Sequence, residues 1–289
     1  MVGDDDASDG TGRFNSVGPV HDTPGMPPSP TIAWISIAPV KAMALQPLTE
    51  AVIARHGIAG DRRFAVIDPG GRLVNGKRFG PLATIAPAVS ADGTNLALRW
   101  PDGREAAAAV ERTTPRDALF FGRPRAVHHL AGPFDEALSD WAGVPLHLVE
   151  LVGPGNGVDR ADLGGSISLA SVAALADLAH AGGLEDPLDQ RRFRMTIGIA
   201  GVKAWAEDAW LGREVRLGAA TVRPDGNVGR CATTTHDPDA GRPDVDTLKL
   251  LAQIRGEMAS TEPLPFGVWA TVVTPGRVRL GDPVVPPTD

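Results

Sequence analysis

Short β-prone runs alternate with turn residues throughout the first half of the chain. Thr31–Ile37 is rich in β-branched and aromatic residues, and Phe64–Ile67 leads into an Asp-Pro-Gly-Gly turn at residues 68–71. A turn of this kind between apolar runs predicts a hairpin, with residues 72–74 as the returning strand. Further short runs lie at residues 83–85, 95–100 and 125–130. About six or seven short strands at this spacing predict a small antiparallel barrel or sandwich.

Helical periodicity first appears near residue 133. Phe134, Leu138 and Trp141 recur at the spacing of one helix face, and a proline occupies the first turn. We place a domain boundary at the start of this helix. The chain is then divided into a first domain at residues 30–131 and a second at residues 132–286.

The second half also alternates strands with a few helices. An alanine-rich helix is predicted after the run at 166–171, and a last helix begins at a cap formed by Asp244 or Asp246. The final apolar runs, at 268–273 and 277–285, predict a closing hairpin. The predicted fold class is therefore mainly β with a few helices (α+β).

The N-terminal segment differs from the rest of the chain. Residues 1–29 are rich in Gly, Asp, Ser and Pro and have few large apolar side chains to bury, which predicts a disordered tail. The segment lacks the regions of a signal peptide, and no apolar run approaches the ~18 residues of a membrane span. With only one cysteine in the chain, these features predict a cytoplasmic protein without a membrane span.

Charge and cysteine count exclude several kinds of site. The chain has 35 acidic and 28 basic residues and a net charge of -7, which argues against a nucleic-acid partner. Its only cysteine is Cys231, so an intrachain disulfide, a four-cysteine iron–sulfur cluster and a cysteine-rich zinc site are ruled out. Any thiol chemistry must therefore take place at Cys231.

Cys231 directly follows Arg230 and precedes a turn rich in Pro, Asp and Gly. A neighbouring cation favours the thiolate and suits it to reaction or metal ligation, although a lone cysteine is commonly an inert buried residue. Other cations lie where strands meet turns, namely Lys41, Arg62, Arg63 and those within 191–194. They are either separate solvated side chains or convergent groups that bind an anion such as phosphate.

Two neighbouring histidines, His128 and His129, are the remaining candidates for metal binding. Adjacent residues on a strand point to opposite faces of the sheet. The two rings are therefore not expected to share one ion.

Several short motifs resemble, in order, those of the MOSC domain, which is named after the C-terminal part of molybdenum-cofactor sulfurase. In the second half they are Phe193-Arg194, residues 207–210, Arg230-Cys231, residues 237–241, Phe266-Gly267 and Gly281-Asp282. In the first half, residues 39–41, 57–64 and 81–82 resemble the N-terminal β-barrel domain of the branch that includes the mitochondrial amidoxime-reducing component. The resemblance implies a small β-barrel domain followed by a MOSC-type β-barrel domain.

The resemblance also implies a molybdenum–molybdopterin cofactor, with Cys231 as catalytic residue and thiolate ligand of the metal. The positions implied to bind the cofactor are Lys41, Arg62, Ser168, Arg194, Thr196 and Arg230. Thr196 stands where the family usually has asparagine, and Ala42 and Gly229 stand where serine is usual. Asp208 is either a cap or turn residue, which is the interpretation we favour, or a contact of the ligand.

The implied activity is that of a molybdenum-dependent oxidoreductase that removes oxygen from N-hydroxylated or N-oxygenated small molecules. The chain lacks the cysteines of an iron–sulfur cluster and a recognisable flavin motif, so its electrons are expected from a separate iron–sulfur, haem or flavoprotein donor. The alternative is a carrier of molybdenum cofactor, or of a persulfide on Cys231, without redox turnover. A further alternative is a relative whose pocket serves another anionic ligand or reaction, which the substitutions at Ala42, Thr196 and Gly229 favour. The resemblance also implies the family's association with pyridoxal phosphate binding.

Overall fold

The computed structural model describes residues 29–153 and 166–288, which form a mainly β structure with three α-helices. The predicted fold class is confirmed. The predicted disordered tail lies outside the described residues except for its last position, residue 29. Within the described part, none of the helices combines the length and the apolarity that a membrane span requires.

The strands of the first half are short and closely spaced. They are β1 (Thr31–Ile37), β2 (Gln46–Leu48), β3 (Glu50–Ala54), β4 (Gly57–Ile58), β5 (Phe64–Ile67), β6 (Leu73–Val74), β7 (Ala86–Val89), β8 (Asn95–Arg99), β9 (Glu105–Ala109), β10 (Arg112–Phe120) and β11 (Arg123–Leu130). The predicted hairpin is confirmed, because β5 pairs with β6 across the 68–71 turn. The strand predicted at 83–85 is wrong, since Gly80–Thr84 forms a 3-10 turn with a proline as its second residue.

The second half combines strands and helices as predicted. Its strands are β12 (His147–Leu151), β13 (Ile167–Ser171), β14 (Ile197–Ala200), β15 (Val215–Leu217), β16 (Ala220–Gly229), β17 (Pro265–Thr274), β18 (Gly276–Arg279) and β19 (Val284–Val285). The helices are α1 (Phe134–Ala142), α2 (Val172–Ala181) and α3 (Thr247–Arg255). Asp246 caps α3, because its Oδ1 accepts a hydrogen bond from the backbone N of Lys249 at 3.0 Å.

The largest sheet joins strands from both ends of the chain. Its order is β19-β15-β16-β17-β13-β14-β1-β2, so β1 pairs with β14 far along the sequence. The predicted closing hairpin is wrong, because β17 is hydrogen-bonded to β13 and β16 on its two sides. β18 pairs instead with β3, and β19 pairs with β15.

Strand pairing also crosses the predicted domain boundary from the other side. The five-stranded sheet has the order β10-β11-β12-β5-β6, so β12 is added to strands of the first half. α1 packs its buried residues Phe134 and Leu138 into the core of this half. The domain boundary near residue 132 stays a prediction. Each half of the chain contributes strands to a sheet formed mainly by the other half.

Gly198 on β14 lies opposite Trp34 on β1, and there is no room for a side chain between them. A Cβ atom built on Gly198 would lie 2.0 Å from the Trp34 ring. We expect Gly198→Ala to lower the free energy of unfolding by about 3 kcal/mol, because the ring must leave its place. Urea denaturation measures the loss. In a double-mutant cycle with Trp34→Leu the two losses should be strongly non-additive, and simple additivity would contradict this steric explanation.

Candidate active site

A cavity of about 270 Å³ lies where the two halves of the chain meet. Its lining brings together the following predicted site residues: Lys41, Arg62, Ser168, Arg194, Arg230 and Cys231. These residues come from the turns after β1 and β4, from the turn before β14, from strand β13 and from the segment directly after β16. Cations that are far apart in the sequence thus converge around the only thiol of the chain.

The lining of this cavity is strongly cationic although the whole chain is acidic. Lys77 and Arg192 join the four predicted cations, so six basic side chains line the cavity, and no carboxylate does within the described residues. The chain as a whole carries a net charge of -7. Arg62 is paired with Asp61 and Arg192 with Asp244, and the excess of positive charge that remains at the lining favours an anionic ligand.

The cations repel one another, which changes their titration. Burial lowers the pKa of Lys41 to about 7, and repulsion by Arg62 and Arg194 acts in the same direction. Burial also lowers the pKa of Arg194 to about 10 and that of Arg230 to about 9. Both guanidinium groups therefore stay charged at neutral pH, whereas Lys41 is poised between its two states.

An anion that enters the cavity is expected to bind together with a proton above pH 7. Lys41 then takes up a proton and becomes positively charged when the anion binds. Because protons become scarcer as the pH rises, the affinity for sulfate should fall by up to about tenfold per pH unit above 7. Calorimetric titration of cofactor-free protein between pH 6 and 8 measures this. Lys41→Met should bind sulfate weakly and without this slope, and Cys231→Ser should keep the slope. A flat profile in the unmodified protein would contradict the prediction.

Asp61 fixes the position of Arg62, and sequence reasoning did not identify it. The Asp61 carboxylate is 1% exposed, and its Oδ2 lies 2.6 Å from Nη1 of Arg62. Its Oδ1 accepts a hydrogen bond from the backbone N of Ala38 at 2.8 Å. Burial raises the pKa of Asp61, while the charge of Arg62 opposes this increase. The sequence signal that could have identified Asp61 is its place inside the motif at residues 57–64.

The cavity also concentrates strained backbone. Among the described residues, six that are not glycine have positive φ, and four of these line the cavity. The four are Ala42 at 71°, Arg62 at 51°, Phe121 at 54° and Arg194 at 53°. The left-handed conformation costs roughly 1–2 kcal/mol for such residues and is retained where the surroundings impose it, commonly at functional sites. No local sequence pattern indicated this strain.

Arg230, which directly precedes Cys231, is anchored by main-chain carbonyl groups. Its Nη1 donates to the carbonyl of Phe193 at 2.8 Å, and its Nη2 donates to the carbonyl of Phe266. The rings of these two residues stack with centroids 3.7 Å apart, and the guanidinium lies 5.8 and 5.7 Å from them. The next residue, Cys231, is partly buried with its Sγ 3.5 Å from Oγ1 of Thr233. The arrangement presents a thiol beside a fixed cation.

Comparison with known proteins assigns the chain to a family. The sequence profile of the MOSC domain matches residues 161–285, and that of the MOSC N-terminal beta barrel domain matches residues 29–134. The chain belongs to the MOSC family. The cavity of this MOSC protein lies where the two matched regions meet, because Lys41 and Arg62 come from the first and Arg194 and Cys231 from the second.

Curated relatives of this MOSC protein include amidoxime-reducing components. Mitochondrial amidoxime-reducing component 1 of Homo sapiens is 26% identical over 285 residues, which cover 88% of this chain and 82% of the relative. The protein of the same name from Xenopus laevis is 26% identical over 286 residues, covering 88% and 81%. Mitochondrial amidoxime reducing component 2 of Homo sapiens is 35% identical over 119 residues, or 39% of this chain and 34% of the relative.

Thr196 of this MOSC protein lies behind the cavity lining and contacts Ser168. The backbone N of Thr196 donates to Oγ of Ser168 at 2.9 Å, and the two hydroxyl oxygens are 3.1 Å apart. Both residues are 1% exposed. Of the two, only Ser168 lines the cavity, and Thr196 orients it.

Close packing of neighbouring residues explains why position 229 is a glycine. A Cβ atom on Gly229 would lie 2.9 Å from Cβ of Glu262 and 3.0 Å from the carbonyl oxygen of Pro263. The serine that is usual in the family therefore has no space in this MOSC protein unless the 262–263 segment moves. The 262–263 segment occupies the space that a serine side chain would need.

The remaining candidates lie outside the cavity lining. Asp208 lies within the 3-10 turn Ala206–Trp210. Its carboxylate accepts hydrogen bonds from Arg255 at 2.7 Å and from Asn227 at 2.9 Å. This agrees with its interpretation as a turn residue. The rings of His128 and His129 have different partners, the carbonyl of Thr113 and the carboxylate of Asp135.

A second cavity, of about 450 Å³, shares part of its lining with the first. The shared residues are Ala42, Gly76, Arg192, Arg194 and Thr233. Unlike the first, it is lined by carboxylates as well as by cations, including Asp237 and Asp239. A small molecule therefore has space beside the cationic cavity.

Proposed function

We propose that this MOSC protein is a molybdenum-dependent oxidoreductase that reduces N-hydroxylated or N-oxygenated compounds. The observation that supports this most is the convergence of six cations and the only thiol on a cavity whose lining has no carboxylate within the described residues. Similarity to amidoxime-reducing components supports the class of substrate.

The residues present fit a pterin cofactor that bears a phosphate and a metal. Lys41, Arg62 and Arg194 would hold the phosphate and the pterin, since they are the buried cations whose mutual repulsion an anion relieves. Cys231 would provide a thiolate ligand to the metal, and Arg230 is its neighbour in the sequence and lines the same cavity. When bound, the group supplies the two-electron redox chemistry that the chain lacks.

The reaction balances with an external donor. Reduction of an N-hydroxylated compound follows R–NHOH + 2H⁺ + 2e⁻ → R–NH₂ + H₂O. Cys231 is the only cysteine, so the chain provides neither an iron–sulfur cluster nor a cysteine pair as electron store. A separate iron–sulfur protein, haem protein or flavoprotein is the proposed donor, and the second cavity is the proposed place for the substrate.

Turnover with an artificial donor tests the proposal without knowledge of the natural partner. Protein purified from a molybdenum-replete host is mixed with benzamidoxime and chemically reduced methyl viologen, and benzamidine formation is measured. We expect one amidine for each two electrons consumed. Protein that contains molybdenum but reduces neither benzamidoxime nor other N-hydroxylated or N-oxygenated compounds would overturn the assignment of substrate class.

A further inference from the structure

Two histidines and one aspartate meet beside the five-stranded sheet, at residues that line neither cavity. His129 lies on β11, Asp135 lies in the first turn of α1, and His147 begins β12. Nε2 of His129 and Nδ1 of His147 each lie 2.6 Å from Oδ2 of Asp135. The ligand atoms of the three residues all lie within 4.8 Å of one another.

Secondary structure holds the three side chains together. β11 and β12 are paired, with His129 opposite Val149, so both histidines are fixed to one sheet. The backbone N of Leu148 donates to Oδ1 of Asp135 at 2.8 Å, which directs Oδ2 towards the two rings. A cluster built on paired strands and a helix is positioned more precisely than one built on loops.

The donor set selects a class of metal. Two imidazole nitrogens with one carboxylate oxygen suit zinc and similar transition metals, whereas Mg²⁺ and Ca²⁺ prefer oxygen ligands alone. Ligand atoms at about 2.0–2.2 Å from a tetrahedral zinc ion lie roughly 3.3–3.5 Å from one another. The two nitrogen–oxygen distances of 2.6 Å must therefore lengthen by somewhat less than about 1 Å when the ion binds. The side chains of His129, Asp135 and His147 are 33%, 25% and 30% exposed, which gives an ion and a water ligand access.

We propose that His129, Asp135 and His147 bind one Zn²⁺ ion, which fastens α1 to the β11–β12 pair. The site leaves a fourth position for water. The second imidazole comes from His147, not from the sequence neighbour His128, whose ring contacts the carbonyl of Thr113 on β10 instead. This site is independent of the thiol cavity.

Zinc titration of the full chain tests the proposal. In a Cys231→Ser background no thiol competes for the metal, and competition with a chromophoric chelator should give one bound Zn²⁺ per chain and a higher melting temperature. His129→Ala, Asp135→Asn and His147→Ala should each weaken binding at least about tenfold, since even indirect neighbours of a metal contribute that much. His128→Ala is the matched control and should leave the affinity unchanged.

Asp135→Asn separates ligand loss from unfolding, because the amide keeps the size of the side chain and the acceptor for the backbone N of Leu148. This variant should fold normally in zinc-free buffer and lose zinc. In the parent chain, zinc should shift the NMR signals of the His129 and His147 rings but not those of His128. Absence of stoichiometric binding, or equal losses in the His128→Ala control, would overturn the proposal.

Discussion

Replacing Cys231 by serine is expected to reduce N-reductive activity by about a thousandfold, equivalent to roughly 4 kcal/mol of transition-state stabilisation. Serine has nearly the same size, but its hydroxyl is a harder and far less acidic donor than a thiol and so does not replace a thiolate ligand. Activity with benzamidoxime and reduced methyl viologen measures the effect. Unchanged melting temperature would show that chemistry has been lost and not the fold.

Ala232 offers the matched control for this substitution. It follows Cys231 directly and is exposed, so Ala232→Ser places the same hydroxyl one residue further along the chain. This variant should keep its activity. Equal activities in Cys231→Ser and the unmodified protein would remove the thiol from the mechanism, whatever the cavity binds.

Arg230→Met is expected to damage both stability and cofactor retention. The substitution leaves the carbonyl groups of Phe193 and Phe266 without their donors, which should lower the free energy of unfolding of cofactor-free protein by about 2 kcal/mol. It also removes the cation beside Cys231, so less molybdenum should be retained. Urea denaturation and metal analysis measure the two effects separately.

Two further variants calibrate the effect of Arg230. Arg230→Lys keeps the charge, but an ammonium group does not reproduce the planar geometry that reaches two carbonyl groups, so only part of the stability should return. Arg216 is the exposed middle residue of β15, so Arg216→Met is a control for the loss of an arginine as such. This variant should change the free energy of unfolding by less than about 0.5 kcal/mol. An Arg230→Met protein as stable as this control would contradict the anchoring role.

Local signals allowed several elements to be predicted from the sequence. The Asp-Pro-Gly-Gly turn defines the β5–β6 hairpin, and the spacing of Phe134 and Leu138 defines α1, because both patterns lie within one element. The cations and Cys231 were identified through their ordered motifs. The resemblance of these motifs to the MOSC family led to six residues that line one cavity, whereas Thr196, Arg63 and Arg191 do not line it.

Features that depend on distant parts of the chain were not predicted. Pairing of β1 with β14 and of β18 with β3 leaves no local pattern in the sequence. Adjacent apolar runs therefore predict a closing hairpin, although β17 pairs with β13 and β16. The same holds for Asp61, which becomes informative only through its contacts with Arg62 and Ala38. His147 and His129 are likewise brought together only by the β11–β12 pair.

Molybdenum and pterin content of the purified chain tests the central claim most directly. Protein from a molybdenum-replete host should contain about one molybdenum and one pterin per chain, Cys231→Ser should lose most of the metal, and Arg194→Met should lose both components. Folded protein without molybdenum, or with molybdenum unaffected by Cys231→Ser, would contradict the account. An added sulfur atom on Cys231 in such molybdenum-free protein would instead indicate a sulfur carrier.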